Sequence, residues 1–94
     1  MEQINKIQYK IINKKWSFQL LVILYTKQKL SYKTIKTVLQ IPNSTLALRL
    51  EELVKYKYLQ KYIYGSVSKP HYTEYEITQV GLDYINNLFN FEKI

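Results

Sequence analysis

The chain has 94 residues and a formal net charge of +7, and 47% of its residues are hydrophobic. This length predicts one domain with a single modest core, and the composition is typical of a globular protein and excludes a disordered chain. The absence of cysteine excludes disulfides, thiolate metal sites and thiol catalysis, and a single histidine argues against a zinc site or a histidine-based catalytic pair. We therefore expect no metal and no cofactor.

Charge is unevenly distributed along the chain. Residues 1–69 contain thirteen basic and three acidic residues, whereas residues 70–94 contain one basic and four acidic residues. A basic body of net charge +10 beside a mildly acidic end favours a polyanionic partner. Lysines that serve only solubility are the alternative.

The apolar segments are short. The longest run, Leu20 to Tyr25, is far shorter than the ~20 residues of a membrane span. No signal-peptide cleavage site follows it. Together with the lack of cysteine, these features predict a cytoplasmic protein without a membrane partner.

The first half of the chain predicts three helices. An isoleucine repeat at i, i+3 and i+7 predicts an amphipathic helix at about 3–13 that must dock on another surface. Lys15–Lys27 is apolar nearly all round and predicts a central buried helix, with a buried strand as the alternative. A short break or small strand at Lys29–Ser31 precedes a short helix at Tyr32–Gln40. The apolar side of this short helix holds Ile35, Val38 and Leu39, and its basic side holds Lys33 and Lys36.

The next helix is predicted at about 42–55. Pro42 suits a first helical turn, and Asn43–Thr45 supply capping oxygens. Leucines then recur at i, i+4 and i+7, which predicts one buried stripe. The opposite face begins with small side chains and could enter a DNA major groove, although an ordinary amphipathic helix is the alternative. The stripe is Leu46, Leu50 and Leu53, and the opposite face is Ser44, Leu48 and Glu51.

A β-hairpin and a last helix follow. From Leu59 the period changes to 2, and two alternating segments around a polar turn predict a hairpin at about 59–77. Thr78 is a predicted N-cap for a helix at about 79–91, whose wide apolar face either folds back as core or pairs with a second subunit. We favour the second. The predicted dimer-interface residues on the first and last helices are Ile4, Ile7, Ile11, Val80, Tyr84, Leu88 and Phe91.

This order predicts an α+β fold, mainly α, namely a single winged helix-turn-helix domain over residues 1–94. The short helix would cross the phosphates, the next would enter the major groove, and the hairpin tip would approach the backbone or minor groove. Leu48 could meet a thymine methyl or pack on Tyr32, and Arg49 could read guanine, hold a phosphate or pair with Glu52. The predicted DNA-binding residues are Tyr32, Lys33, Lys36, Asn43, Ser44, Thr45, Ala47, Leu48, Arg49, Ser66, Ser68 and Lys69.

Several motifs in this order resemble a known family over about residues 14–90. They are Trp16 with the apolar run to Leu24, Leu46-x-x-Arg49-Leu50-x-x-Leu53, Tyr58-Leu59, Pro70, and the segment Tyr75-Glu76-Ile77-Thr78-Gln79-Val80-Gly81. They resemble the HxlR-type winged-helix transcription regulators, which are related to the MarR and ArsR groups and include small stand-alone forms in archaeal viruses and plasmids. The resemblance implies a DNA-binding homodimer paired through its terminal helices. The chain departs from the family by lacking its N-terminal cysteine and by having Pro42 where a serine is usual.

The leading hypothesis is a homodimeric, sequence-specific double-stranded DNA-binding transcription regulator. The alternative is a winged-helix module that binds proteins and not DNA, which the ten tyrosines and the acidic C-terminal segment would suit. An enzyme is least expected, since the sequence shows no Gly-rich phosphate loop, no metal cluster and no nucleophile–base pair.

Overall fold

The computed structural model describes residues 14–65 and 70–91. The predicted helix at about 3–13, with Ile4, Ile7 and Ile11, lies outside the described residues, as do the tip residues Ser66, Ser68 and Lys69 and the side chain of Phe91. The described helices are α1 (Ser17–Lys27), α2 (Tyr32–Leu39), α3 (Asn43–Lys55) and α4 (Gln79–Phe91). The strands are β1 (Lys29–Ser31), β2 (Leu59–Gly65) and β3 (Pro70–Ile77).

Helix α1 confirms the helical interpretation of the apolar run. It begins after Trp16, whose backbone is left-handed (φ 77°), and it ends before Gln28, whose N–H donates to the Leu24 carbonyl at 2.7 Å. Leu20, Leu21 and Leu24 are fully buried on one side of the helix. The run is therefore a core helix with one solvated side.

The three strands form one antiparallel sheet in the order β1-β3-β2. The register pairs Leu59 with Ile77 and Lys61 with Tyr75 on the inner face, which packs on the helices. On the outer face Tyr62 lies opposite Glu74. The predicted hairpin is confirmed. The segment at 29–31 is a strand, β1, which pairs with β3 of the hairpin.

The core lies between α1, α3, the inner face of the sheet and α4. Its fully buried side chains come from every helix. Removing such a leucine or isoleucine from water stabilises the fold by roughly 1.5–3 kcal/mol per side chain. The apolar residues with no exposed surface are Leu20, Leu21, Leu24, Ile35, Leu46, Leu50, Leu53 and Ile85.

Two local predictions are wrong. The sequence predicts Val38 on the buried side of α2, but it is 57% exposed, because the buried side is centred between Ile35 and Leu39, about 80° away around the helix. The predicted capping oxygens do not cap α3: its N-cap is Pro42 and no side chain accepts a hydrogen bond there. The Asn43 oxygen instead accepts from Tyr32.

The architecture is a winged helix-turn-helix. Helix α2, the turn at 40–42 and α3 form the helix-turn-helix, and β2 with β3 forms the wing. Within residues 14–65 and 70–91, no helix is both long and apolar enough to cross a bilayer. The same residues contain no group of three or more His, Asp or Glu side chains placed to hold a metal ion.

Candidate nucleic-acid interface

The corner between α2 and α3 is fixed by local hydrogen bonds. Ser31 caps α2, its Oγ accepting from the Thr34 N–H at 3.1 Å. Gln40 ends the helix in a left-handed conformation (φ 56°) and its N–H donates to the Lys36 carbonyl at 2.7 Å. Ile41 is then buried in the core. The turn is therefore anchored at both ends, which fixes how α3 is presented.

A side-chain bond joins the first residues of the two helices. The Tyr32 hydroxyl donates to Asn43, lying 3.1 Å from its Oδ1 and 3.3 Å from its backbone carbonyl. Two residues expected to contact DNA are therefore held to each other at the start of α3. This contact leaves the Asn43 amide nitrogen free to donate to a ligand.

Helix α3 separates its two faces as its sequence predicts. The three leucines of the stripe are fully buried. Ser44, Ala47 and Glu51 are exposed on the opposite side, Thr45 is half-buried, and Leu48 is 52% exposed. The first two turns therefore present small and apolar side chains to solvent, while a carboxylate follows in the third turn.

Two lysines of α2 lie near the turn that leads into α3. Lys33 is exposed and Lys36 is half-buried on α2, and both line an open depression with the turn residues Gln40 and Pro42. Lysines at this position can bind phosphate oxygens on either side of a groove. The structure thus brings together the basic side of α2 and the start of α3.

Arg49 points away from that face. Its Nε donates to the Lys15 carbonyl at 3.1 Å, and its Nη1 lies 3.3 Å from Glu52 Oε1. Lys14 Nζ bonds the other oxygen of Glu52 at 2.9 Å. The pairing of Arg49 with Glu52, which the sequence left open as an alternative, is present. The involvement of Lys14 and Lys15 has no sequence signal, because each lies more than thirty residues from its partner.

The wing carries aromatic side chains up to its tip. Tyr64 and Tyr72 stack with ring centroids 5.1 Å apart, and they are 39% and 49% exposed. Gly65 follows with φ 111°, a conformation that L side chains rarely adopt, so the chain turns there without strain. Ile63 lies on the inner face of the sheet but beyond the edge of the core, and it is 64% exposed.

The outer face of the sheet has its own charge cluster. The Tyr62 hydroxyl donates to Glu76 Oε1 at 2.7 Å, and this hydrogen bond is the main cause that raises the pKa of Tyr62. Lys29 Nζ lies 4.7 Å from the centre of the Tyr62 ring and 3.9 Å from Glu74 Oε1. The carboxylates of this face are thus engaged with the sheet's own side chains.

Helix α4 is capped at its start and is only partly buried. Thr78 caps it as predicted, with Oγ1 accepting from the Gly81 N–H at 3.2 Å. Ile85 is fully buried, whereas Val80 and Leu88 are 47% and 37% exposed. Tyr84 is half-buried, with its ring edge-on to Tyr58 at 5.9 Å between centroids. Part of the predicted dimer face is therefore open to solvent.

Comparison with known proteins identifies both family and fold. A family model described as HxlR-like helix-turn-helix matches residues 11–93. No curated protein matches the chain.

Solved structures of similar fold include several regulators. A transcriptional regulator homologue from Pyrococcus horikoshii OT3 has a TM-score of 0.76 at 18% identity, over 93% of this chain and 85% of that chain. A protein described as a MarR-family transcriptional regulator from Porphyromonas gingivalis W83 has a TM-score of 0.73 at 18% identity, over 99% and 94%. The reduced form of the regulator YodB from B. subtilis has a TM-score of 0.72 at 19% identity, over 98% and 89%.

Proposed function

Because the chain belongs to the HxlR-like helix-turn-helix family, we propose that it is a transcription regulator that binds specific sites in double-stranded DNA as a homodimer. One observation carries this proposal. Helix α3 is held by three fully buried leucines while Ser44, Ala47 and Leu48 on its other side face solvent, and the lysines of α2 line a depression that reaches Pro42 at the start of α3. A rigidly held helix with small side chains at its start fits the width of a major groove.

The first two turns of α3 read base edges in this proposal. Ser44 and Thr45 supply hydroxyls that donate or accept, and Leu48 supplies an apolar contact for a thymine methyl. Ala47 permits close approach. Glu51 repels phosphate, so the third turn stays outside the groove.

Backbone contacts come from the sides of α3. Lys33 and Lys36 bind phosphates on one flank, and the wing tip, with Ser66, Ser68 and Lys69, binds backbone or minor groove on the other. Tyr32 holds Asn43 in place beside them. The bonds of Arg49 to Lys15 and Glu52 favour a role inside the domain over a base contact.

The homodimer forms through α4 and the N-terminal segment. The exposed Val80 and Leu88 are eight residues apart, with Tyr84 between them, so they lie along one stripe of α4. Phe91, Ile4, Ile7 and Ile11 extend this apolar contact in the proposal. Two recognition helices would then face half-sites about 10 base pairs apart.

The test begins with selection of bound sequences from a random duplex pool. On the selected operator, Leu48→Ala should weaken binding about tenfold, equal to about 1.4 kcal/mol, and flatten the preference at one base pair. Val38→Ala is the matched control because Val38 is similarly exposed but lies on α2 away from the lysines. Equal operator affinities for the two variants in a mobility-shift titration would contradict the assignment of α3.

A protein-binding module is the second candidate. The exposed Tyr64–Tyr72 stack on the wing favours it, since exposed aromatic side chains are enriched at protein interfaces. Duplex binding at two salt concentrations separates the candidates. A DNA-binding protein loses affinity steeply as salt rises, whereas no binding even at low salt would favour the module.

A further inference from the structure

One carboxylate connects the residues just before α1 to the C-terminal half of α3, the proposed recognition helix. Glu52 Oε2 bonds Lys14 Nζ at 2.9 Å, and Glu52 Oε1 lies 3.3 Å from Arg49 Nη1. The same guanidinium donates from Nε to the Lys15 carbonyl at 3.1 Å. We call these four residues the α1–α3 clamp.

The clamp has an exposed part and a shielded part, because the Lys14 side chain is 41% exposed whereas the other two side chains of its ion pairs are not. The side chains of Arg49 and Glu52 are 16% and 17% exposed, so salt screens their interaction less than that of two solvated charges. Both carboxylate oxygens are used, and the guanidinium binds a side chain and a backbone carbonyl at once. Bonds of this charged kind are about twice as strong as neutral ones and have a defined direction.

The clamp matters because of its position in the chain. Lys14 and Lys15 are the residues at which segment 1–13 joins the described domain. Trp16 follows them in a left-handed conformation, so the chain changes direction there before α1 begins. The chain at Lys14 and Lys15 is therefore bonded to α3 as well as continuous with α1.

We propose that Glu52 is a positioning residue that sets the separation of the two recognition helices in the dimer. This rests on the proposed function, in which segment 1–13 contributes to the dimer contact and α3 reads DNA. The clamp fixes the end of that segment against α3, so that each recognition helix keeps a constant offset from the dimer axis. The DNA half-site spacing that the protein prefers follows from this offset.

The test measures spacing preference, which a merely stabilising ion pair would not set. Duplexes carry two inverted copies of the selected half-site at centre-to-centre separations from about 8 to about 13 base pairs, bracketing one helical turn. The wild type should prefer one spacing by about tenfold over its neighbours. Glu52→Gln should reduce that preference to about twofold, since a neutral amide cannot hold two cations, while affinity for a single half-site changes less than about twofold.

Matched controls isolate the clamp. Glu51→Gln removes the same charge from the next residue of α3, for which no hydrogen bond or ion pair is seen among the described residues, and it should keep the wild-type spacing profile. Lys14→Met removes the Lys14–Glu52 bond and leaves the bonds of Arg49 to Glu52 and to the Lys15 carbonyl, so it should flatten the profile less than Glu52→Gln does. Lys27→Met, at the far end of α1, should have no effect on spacing.

The outcomes separate the two proposals. A Glu52→Gln or Lys14→Met profile identical to that of the wild type would overturn the inference while leaving DNA binding intact. A wild type that binds half-sites without any spacing preference would overturn it as well. A wild type that binds no duplex at low salt would overturn the proposed function itself. Circular dichroism of each variant confirms that it is folded.

Discussion

Helices α3 and α4 are both thirteen residues long, but they divide their surfaces in opposite ways. Helix α3 buries all three leucines of its stripe, and its solvent side has small or polar side chains and one leucine, Leu48, at 52% exposure. Helix α4 buries Ile85 yet leaves Val80 and Leu88 on its surface at 47% and 37% exposure. Helix α3 thus exposes one large apolar side chain among small and polar ones, whereas α4 exposes two along one stripe.

This difference indicates two kinds of partner. An outward face made of hydroxyls, a methyl group and one leucine can approach the polar edges of bases without a large desolvation cost. Exposed aliphatic side chains spaced along one stripe gain free energy only when another apolar surface covers them. The comparison therefore supports the proposal that α3 binds DNA and that α4 pairs with a second copy of the chain.

The largest expected effect is in the buried side of α3. Leu50→Ala should lower the free energy of unfolding by about 3 kcal/mol, because it removes a fully buried side chain and leaves a cavity. Leu48→Ala, at an exposed position about half a helical turn away from Leu50, should change the free energy of unfolding by less than about 0.5 kcal/mol. Urea unfolding of both variants measures the contrast. Similar losses would mean that α3 does not separate its faces in solution.

The contrast within α3 is also the part of the molecule that its sequence predicts best. A leucine repeat of period 3.6 over two turns has few interpretations, and burial of the stripe follows directly from it. The hairpin was equally predictable, since alternation and a polar turn are local signals. These elements are specified by neighbours in the chain.

The remaining features depend on contacts between distant residues. Val38 is exposed because α2 is eight residues long and the core contacts only the side centred between Ile35 and Leu39. The Asn43 side-chain oxygen accepts a hydrogen bond from Tyr32 and does not cap α3, because α2 brings the Tyr32 hydroxyl within reach. The bond of Lys14 to Glu52 joins residues 38 positions apart, and nothing in the local pattern of either helix predicts it.

Gly81 tests how closely the inner side of α4 packs. A Cβ atom at this position would lie 2.6 Å from Ile77 Cγ1 and 2.7 Å from the Tyr58 carbonyl oxygen. Glycine to alanine usually stabilises a helix by up to ~1 kcal/mol, but here the overlap should reverse the sign and destabilise the fold by about 2 kcal/mol.

Asn87→Ala is the control for Gly81→Ala. Asn87 is exposed on the same helix, so alanine there raises the helix propensity without creating new contacts. It should leave the free energy of unfolding unchanged or raise it by less than about 0.5 kcal/mol. If Gly81→Ala were also stabilising in urea unfolding, α4 would pack more loosely on the turn at Tyr58 than the structure shows.

The smallest expected effect concerns the outer side of α4 and is visible only in assembly. Val80→Glu should leave the monomer folded, since Val80 is 47% exposed and a carboxylate in the first turn of a helix interacts favourably with the helix dipole. In a dimer paired through this face, the new charge would be buried against an apolar partner surface, and the dimer dissociation constant should rise about tenfold, or about 1.4 kcal/mol. Sedimentation velocity over a concentration series measures the change.

Val38→Glu, at an exposed valine on α2, is the matched control and should leave the dissociation constant unchanged. Equal effects of the two substitutions would remove α4 from the interface, and the exposed stripe of Val80, Tyr84 and Leu88 would then belong to a different partner.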